Sequence, residues 1–444
     1  MPPTLVHPVI VIPGITAAYL RDEYALEPEI VWGLLKKSYE RITPHPEDAR
    51  YEAAEPARIR ADQLHPAAYR ELTAELRHNL SPRADRPTPV FPFVYDWRLP
   101  LARCAELLAD FVEEVIDRTR LLRHYDSAGW RKRPQVHLVA HSMGGLIAAG
   151  YLDRFGSLGR VAKVASLATP FNGSFEAVLK IAVGTGDLGG EAPSSREREA
   201  ARMLPALYHL IPAIPGAVQA GPGLSSDLFQ ASAWQRRVVE TIAEFIRFHG
   251  LRPVAPMEQA ERLFSAMLCE ARAFRGRVDE LRLERAGLKP SDWLCVAGVN
   301  SPTRVRLPIR GQGGEVEFLL RSGDRENRWD SNRCPAGRDR EQGLTGDGTV
   351  PFEGAVPKFL GRENVVCVTP QDFGYWEVAD RILDRAAGFH GILPNMNMIH
   401  RLIVRHFTGS PDLHGATWGR AAPGVTPGHW DPAVRLLRNK DVKG

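Results

Sequence analysis

Gln135-Val-His-Leu-Val-Ala140-His141-Ser142-Met143-Gly144-Gly145-Leu-Ile-Ala-Ala-Gly150 is the stretch that decides the fold. Val136 to Ala140 is an apolar run bounded by polar residues, the pattern of a buried strand. It stops at His-Ser-Met-Gly-Gly, and an Ala- and Leu-rich helix follows. A strand that turns sharply into a helix holds its corner residue on a strained bend. The Ser142 hydroxyl is then exposed at the carboxyl edge of a sheet, with the following backbone N–H groups aimed at whatever binds there. The small residues on either side let strand and helix approach closely. The usual corner pattern is G-x-S-x-G; here Ala140 stands at its first position, a departure of one methyl.

Such a corner is the nucleophile elbow of the α/β-hydrolases, and it asks for partners elsewhere in the chain. Val9-Ile-Val-Ile-Pro13-Gly14-Ile15-Thr16 reads as a strand that ends at Pro-Gly, expected to lie beside the nucleophile strand. The loop after it supplies one oxyanion-hole N–H and the residue after the nucleophile the other. Ile15, with Thr16 next, and Met143 are the candidate donors. An ordinary strand end is the plainer reading of Pro13-Gly14 taken alone.

A serine nucleophile needs a base, and the base needs an acid to fix its tautomer; the chain order in this fold is serine, acid, histidine. Asp347, in the turn Gly346-Asp347-Gly348-Thr-Val-Pro351, and His390, at the start of the last helical region, follow Ser142 in that order. The competing bases are His400 and His406 within the last helix, His137 inside the nucleophile strand, and His141 at the elbow, too constrained to face Ser142. The competing acids are Asp372 and Asp380, which lack the Gly-Asp-Gly turn. No carboxylate pair suggests glycosidase chemistry, no glycine-rich phosphate loop is present, and no His/Asp/Cys cluster has metal spacing. Neither a metal nor any other cofactor is expected.

The remaining pattern gives an α/β chain. Two helices are expected around Ile30 to Arg41 and Ala67 to Leu80, then a strand from Val90 that ends in Tyr95-Asp96-Trp97-Arg98. Those last side chains either line the site floor or help bind an anionic head group, or else fix the loop, the last reading being preferred. An amphipathic helix spans Leu101 to Arg123, and another strand Val161 to Ala168. Alternating strand and helix demands parallel pairing with right-handed crossovers. From Phe175 to Pro290 no clear strand is visible. A Gly-rich loop (184–190), the apolar stretch Met203 to Pro215 and two long helical patterns, 234–248 and 257–283, suggest a helical cap or lid, or else a second core layer. Strands resume at 291–300, a hairpin is expected from 305–307 and 316–320, and 365–368 is the last strand. The organisation read is a hydrolase core over 1–174, a cap over 175–290, core again over 291–408 and an unassigned extension over 409–444. Trp97, Phe171 and Tyr208, with Thr16, are candidate substrate contacts.

Composition sets the outer bounds. The 444 residues are 44% hydrophobic and 25% charged, those of a globular protein. A net charge of +4, scattered along the chain, gives no case for nucleic-acid binding. The five cysteines (Cys104, Cys269, Cys295, Cys334, Cys367) are far apart and form no C-x-x-C pair, so reduced thiols are expected. No basic segment followed by a long apolar run opens the chain, which gives a cytoplasmic location as the expectation. The oligomeric state is not legible.

The motifs together resemble the lecithin:cholesterol acyltransferase-like, lipase-like family of α/β-hydrolases. The resemblance is carried by Val-Ile-Pro-Gly near the start, Tyr95-Asp-Trp-Arg98, Ala140-His-Ser-Met-Gly-Gly145, Ala168-Thr-Pro-Phe-Asn-Gly-Ser174, Leu204-Pro-Ala-Leu-Tyr-His-Leu-Ile-Pro212, Gly346-Asp-Gly-Thr-Val-Pro351 and His390. It implies Ser142, Asp347 and His390 as the triad, and acyl-ester chemistry on a small-molecule ester or lipid. Transient contact of the cap with a membrane surface is a further expectation. Acyl transfer to an alcohol, a lipid-attacking effector or toxin and, least favoured, a non-catalytic binding protein are the alternatives.

Overall fold

The structure, a computed structural model, describes residues 6–33, 36–45, 58–126, 129–184, 194–250, 253–313, 315–320, 324–329, 343–374, 377 and 388–438. Cys334, Asp380 and most of the Gly-rich loop at 184–190 lie outside the described residues.

Among these residues the central sheet has six strands: β1 (Val9–Ile12), β2 (Val90–Pro92), β3 (Val136–His141), β4 (Val161–Leu167), β5 (Trp293–Gly298) and β6 (Val365–Val368). Their order is β6-β5-β4-β3-β1-β2, and every pairing is parallel. The inner strands read as continuous apolar runs because helices cover both faces; β1, β3, β5 and β6 are buried at every position. A parallel sheet presents all its strand ends on one edge, and its crevice outside those ends is where ligands bind in such folds. The loops after β1, β3 and β5 meet there.

Helix α1 (Pro66–Leu80) buries Tyr69, Leu72, Leu76 and Leu80 on one face; α2 (Leu101–Arg120) buries Leu101, Cys104, Leu108, Val112 and Val115 at helical spacing. Helix α3 (Met143–Phe155) starts at the corner after β3, and its residues 143–152 are all buried. Glycines make that corner fit. A Cβ on Gly144 would lie 2.5 Å from the Ile12 carbonyl oxygen and 2.7 Å from that of Pro13, so α3 rests directly on the backbone after β1. Helix α4 (Pro256–Asp279) packs on α3, where Gly150 leaves room for the Phe274 ring. This part of the 175–290 segment is therefore a core layer. Fully buried Arg202 ties the segment together through the carbonyls of Ile181, Ala182 and Arg237. Helix α5 (Asn397–Thr408) packs beside α1.

Three local readings are corrected. Around Ile30 the chain is not helical: Glu29–Trp32 is a strand, paired antiparallel with Ala18–Asp22, and only Tyr39–Ile42 makes a helical turn. The β-branched and aromatic residues Ile30-Val31-Trp32 fit a pleated surface, and that tertiary pairing outweighs the helical spacing. The strand from Val90 ends at Pro92, leaving 93–98 as an ordered loop. Within 175–290 a short strand, Val218–Ala220, pairs with Leu307–Ile309 of the hairpin that the sequence anticipated. In the C-terminal extension, Arg420 pairs with Cys367 on the free side of β6 and covers that sheet edge.

Candidate active site

Ser142 sits between β3 and α3 with φ 54° and ψ −128°, a conformation that side chains with a Cβ seldom adopt. The Ser142 N–H donates to the Leu167 carbonyl (2.9 Å) and its carbonyl accepts from the Gly145 N–H (3.0 Å), so both neighbours of the bend hold it. Thr16, Ala168 and Asn300 also have positive φ without being glycine. They stand just past β1, β4 and β5, on the carboxyl edge that carries Ser142, while the remaining one, Ala255 (φ 51°), precedes α4.

His390 brings Nε2 to 2.9 Å from the Ser142 hydroxyl oxygen. Its Nδ1 lies 2.7 Å from Oδ2 of Asp347. The other oxygen of Asp347, Oδ1, accepts from the N–H groups of Thr349 (2.9 Å) and Val350 (2.7 Å), so the Gly-Asp-Gly-Thr-Val turn aims its own carboxylate. The carboxylate is 1% exposed. Gly298 at the end of β5 is required for this approach: a Cβ there would fall 2.6 Å from that of Asp347. The His390 backbone N–H also donates to the Asp347 carbonyl (3.2 Å), so Asp347 and His390 are joined twice.

The loop after β1 is held by side chains from four directions. Tyr95 donates to the Pro13 carbonyl (2.9 Å), and the Gly14 N–H donates to the Tyr69 hydroxyl (3.0 Å). The Trp32 indole donates to Thr16 (3.2 Å) and the Trp97 indole to Ala18 (3.1 Å). Among the described residues the Ile15 amide is not one of the anchored groups. Met143 opens α3, where first-turn N–H groups have no intrahelical partner. Met143 follows Ser142 directly, and Gly14, the neighbour of Ile15, lies against it: a Cβ on Gly14 would lie 2.9 Å from that of Ser142.

The other side chains singled out in the sequence have different surroundings. Trp97 packs against Trp32 and anchors the loop. Phe171 packs against Trp293 and Phe359, and Tyr208 donates to the Arg202 carbonyl and packs against Phe264; both are buried in the core. Thr16 is half-buried in the loop itself. Asp96 makes a two-pronged ion pair with buried Arg98, which also donates to the Ile42 carbonyl (3.0 Å); the pair fixes the loop. His400 bonds the Pro394 carbonyl, His406 those of Val164 and Asp292, and Asp372 pairs with Arg420. His137 is stacked on Phe407 in the core. Trp32 and Tyr69 were not singled out: each carries its signal as one apolar residue on a buried face, which looks the same whether or not its polar tip is used.

The sheet order and the elbow define the α/β-hydrolase fold. Residues 74–242 match the model of the lecithin:cholesterol acyltransferase family. Of solved structures, a chain of the Tle4–Tli4 complex is 15% identical over 91% of this chain and 98% of its own, with a TM-score of 0.59, and shares the fold. The Bacillus licheniformis lipase BlEst2 in its mature form (12% identity, 83% and 85% coverage, TM-score 0.31) and the Legionella pneumophila phospholipase PlaB (14%, 47% and 37%, 0.24) superpose too loosely to bear on the fold. No curated protein matches the chain.

Proposed function

We propose that the protein is a serine hydrolase that cleaves carboxylic esters, lipid esters foremost, through an acyl-enzyme. The observation that carries this reading is the unbroken contact from Ser142 Oγ through both nitrogens of His390 to a fixed Asp347 carboxylate. His390 Nε2 takes the hydroxyl proton as Ser142 Oγ attacks the ester carbonyl carbon, and Asp347 stabilises the imidazolium. The oxyanion is received by the amides of Ile15 and Met143. His390 then returns the proton to the departing alcohol oxygen, leaving Ser142 acylated. Water, deprotonated by the same nitrogen, releases the carboxylic acid and restores the serine. The lipid preference draws on the family match over residues 74–242.

Ser142→Ala tests the reading directly: hydrolysis of p-nitrophenyl esters is expected to vanish while the melting temperature stays within a few degrees of the parent. Activity equal to the parent's would refute it. An acyl acceptor other than water is the second outcome of the same chemistry, and product analysis with an added long-chain alcohol separates the two.

A further inference from the structure

We propose that Tyr69 and His141 act as positioning residues that lock the oxyanion loop and the catalytic histidine into one frame; the inference rests on the ester-hydrolase reading above. His141 is the elbow residue before Ser142, yet its ring turns away from that hydroxyl. Its Nε2 lies 3.0 Å from the backbone carbonyl oxygen of His390, and its Nδ1 lies 2.7 Å from the Tyr69 hydroxyl. That hydroxyl in turn accepts from the Gly14 N–H at 3.0 Å.

The chemistry of these atoms fixes every proton. A carbonyl oxygen can only accept, so His141 carries its hydrogen on Nε2. The bare Nδ1 of the neutral ring accepts from the Tyr69 O–H, and the Tyr69 oxygen accepts from Gly14. The chain therefore runs in one direction, from the Gly14 N–H through Tyr69 and His141 to the His390 carbonyl. A second proton on His141 would face the hydroxyl hydrogen of Tyr69 and break the chain. Burial opposes that proton, and so does the neighbouring His390 ring, whose centroid is 5.1 Å away. Both side chains are nearly inaccessible, Tyr69 at 2% and His141 at 5% exposure, so water does not replace either partner.

What the relay joins gives it its meaning. Gly14 is the residue before the candidate donor Ile15, on the loop after β1. His390 comes from a segment nearly 250 residues after the elbow in sequence (|i−j| 249 for the His141–His390 contact). Between them Tyr69 projects from α1, which is itself tied to the His390 segment where the Asn395 side chain donates to the Ala67 carbonyl (2.8 Å). The oxyanion donor and the general base belong to separate loops, and a shift between them misaligns the reaction. The His390 backbone is gripped from both sides, by Asp347 at its N–H and by His141 at its carbonyl.

The test uses Tyr69→Phe, His141→Phe and His141→Gln on the full chain. Tyr69→Phe removes one oxygen. His141→Gln keeps a nitrogen able to donate to the His390 carbonyl, whereas His141→Phe keeps the bulk and loses both bonds. Misplacement on the ångström scale costs on the order of 100-fold, so kcat for a soluble p-nitrophenyl ester is expected to fall by about that factor in Tyr69→Phe and His141→Phe. KM is expected to stay near the parent's, and His141→Gln to recover most of the loss. Near-UV circular dichroism and melting establish that each variant is folded; if His141→Phe does not fold, Tyr69→Phe decides alone. Folded variants with the parent's kcat, or a loss expressed wholly in KM, would overturn the inference. Labelling by a fluorophosphonate keeps the two readings apart. A parent that neither labels nor turns over esters fails the hydrolase reading, whereas a parent that labels no faster than Tyr69→Phe fails the relay.

Discussion

Replacing Asp347 with asparagine should disable the proposed hydrolysis without disturbing the fold, and the surroundings of Asp347 dictate why. An asparagine has one oxygen and one NH₂ group to place where two carboxylate oxygens stood. The Oδ1 position accepts from two backbone N–H groups, those of Thr349 and Val350, so the amide oxygen must take it; an NH₂ group there would face two donors. The NH₂ is then forced to the Oδ2 position, 2.7 Å from His390 Nδ1. His390 answers by carrying its proton on Nε2, 2.9 Å from the Ser142 oxygen, where the base should be bare. A serine triad locked in the wrong tautomer loses about 10,000-fold in kcat by the serine-protease precedent. That factor corresponds to about 5.4 kcal/mol of transition-state stabilisation. Shape and the two backbone bonds are kept, so the melting temperature should move little. Steady-state hydrolysis of a p-nitrophenyl ester, with burst-phase measurement of acyl-enzyme formation, reads the loss. An asparagine variant within tenfold of the parent would show that Asp347 does not set the tautomer of His390, and the acid would have to be sought elsewhere.

Other consequences follow from single contacts. Gly14→Ala places a methyl 2.9 Å from Ser142 Cβ and 3.3 Å from its hydroxyl oxygen, so the nucleophile must move. Overpacking of this kind costs about 1–3 kcal/mol, read by urea unfolding, and an ångström-scale shift on the order of 100-fold in kcat. Buried histidines make the fold acid-sensitive: burial, the largest cause in each, lowers the pKa of His406 to about 4 and of His209 to about 3, and lowers those of His7, His137, His141 and His400. The native state stays neutral there while the unfolded chain takes up protons, so this stability is present above about pH 6.5 and is lost as pH falls towards the folded values. Linkage for His406 alone gives about 2 kcal/mol lost at pH 5. A urea midpoint unchanged between pH 7.5 and 5 would contradict it.

The fold and the meeting of Ser142, His390 and Asp347 were legible because each is announced by local chemistry. A strand that breaks at His-Ser-Met-Gly-Gly needs small residues on both sides, and Gly144 against the Ile12 and Pro13 carbonyls shows the need in space. An aspartate flanked by glycines makes a turn that bonds its own carboxylate, as Oδ1 of Asp347 does. The strand at Glu29–Trp32 was missed because it is four residues long and its own spacing suits a helix equally; what fixes it is antiparallel pairing with Ala18–Asp22, whose other side pairs with Ile59–Leu64. Aromatic side chains were the least legible. Trp97, Phe171 and Tyr208 looked like substrate contacts because they are large and lie near motifs. Size and proximity do not distinguish a pocket wall from a core residue, and the indole of Trp97 is spent on Ala18.

Strain in the loop after β1 gives the aromatics around it, Tyr69, Tyr95, Trp32 and Trp97, a role of their own. A non-glycine residue held at positive φ costs of order 1–3 kcal/mol and persists only where its surroundings over-determine it. Thr16, at φ 61°, is β-branched, for which that conformation is especially unfavourable, and it adjoins the candidate donor Ile15. The loop around it is fixed at Pro13, Gly14, Thr16, Ala17 and Ala18, through Tyr95, Tyr69, Trp32, the His65 backbone and Trp97. Each of the four side chains is buried and brings a single polar tip to the loop, so each bond is protected from water and the rings resist displacement. With its neighbours fixed, the Ile15 backbone has little freedom to move. The aromatic residues gathered at this edge thus act indirectly: they hold a strained loop against Ser142, where the proposed hydrolase needs an oxyanion donor in place before any substrate arrives.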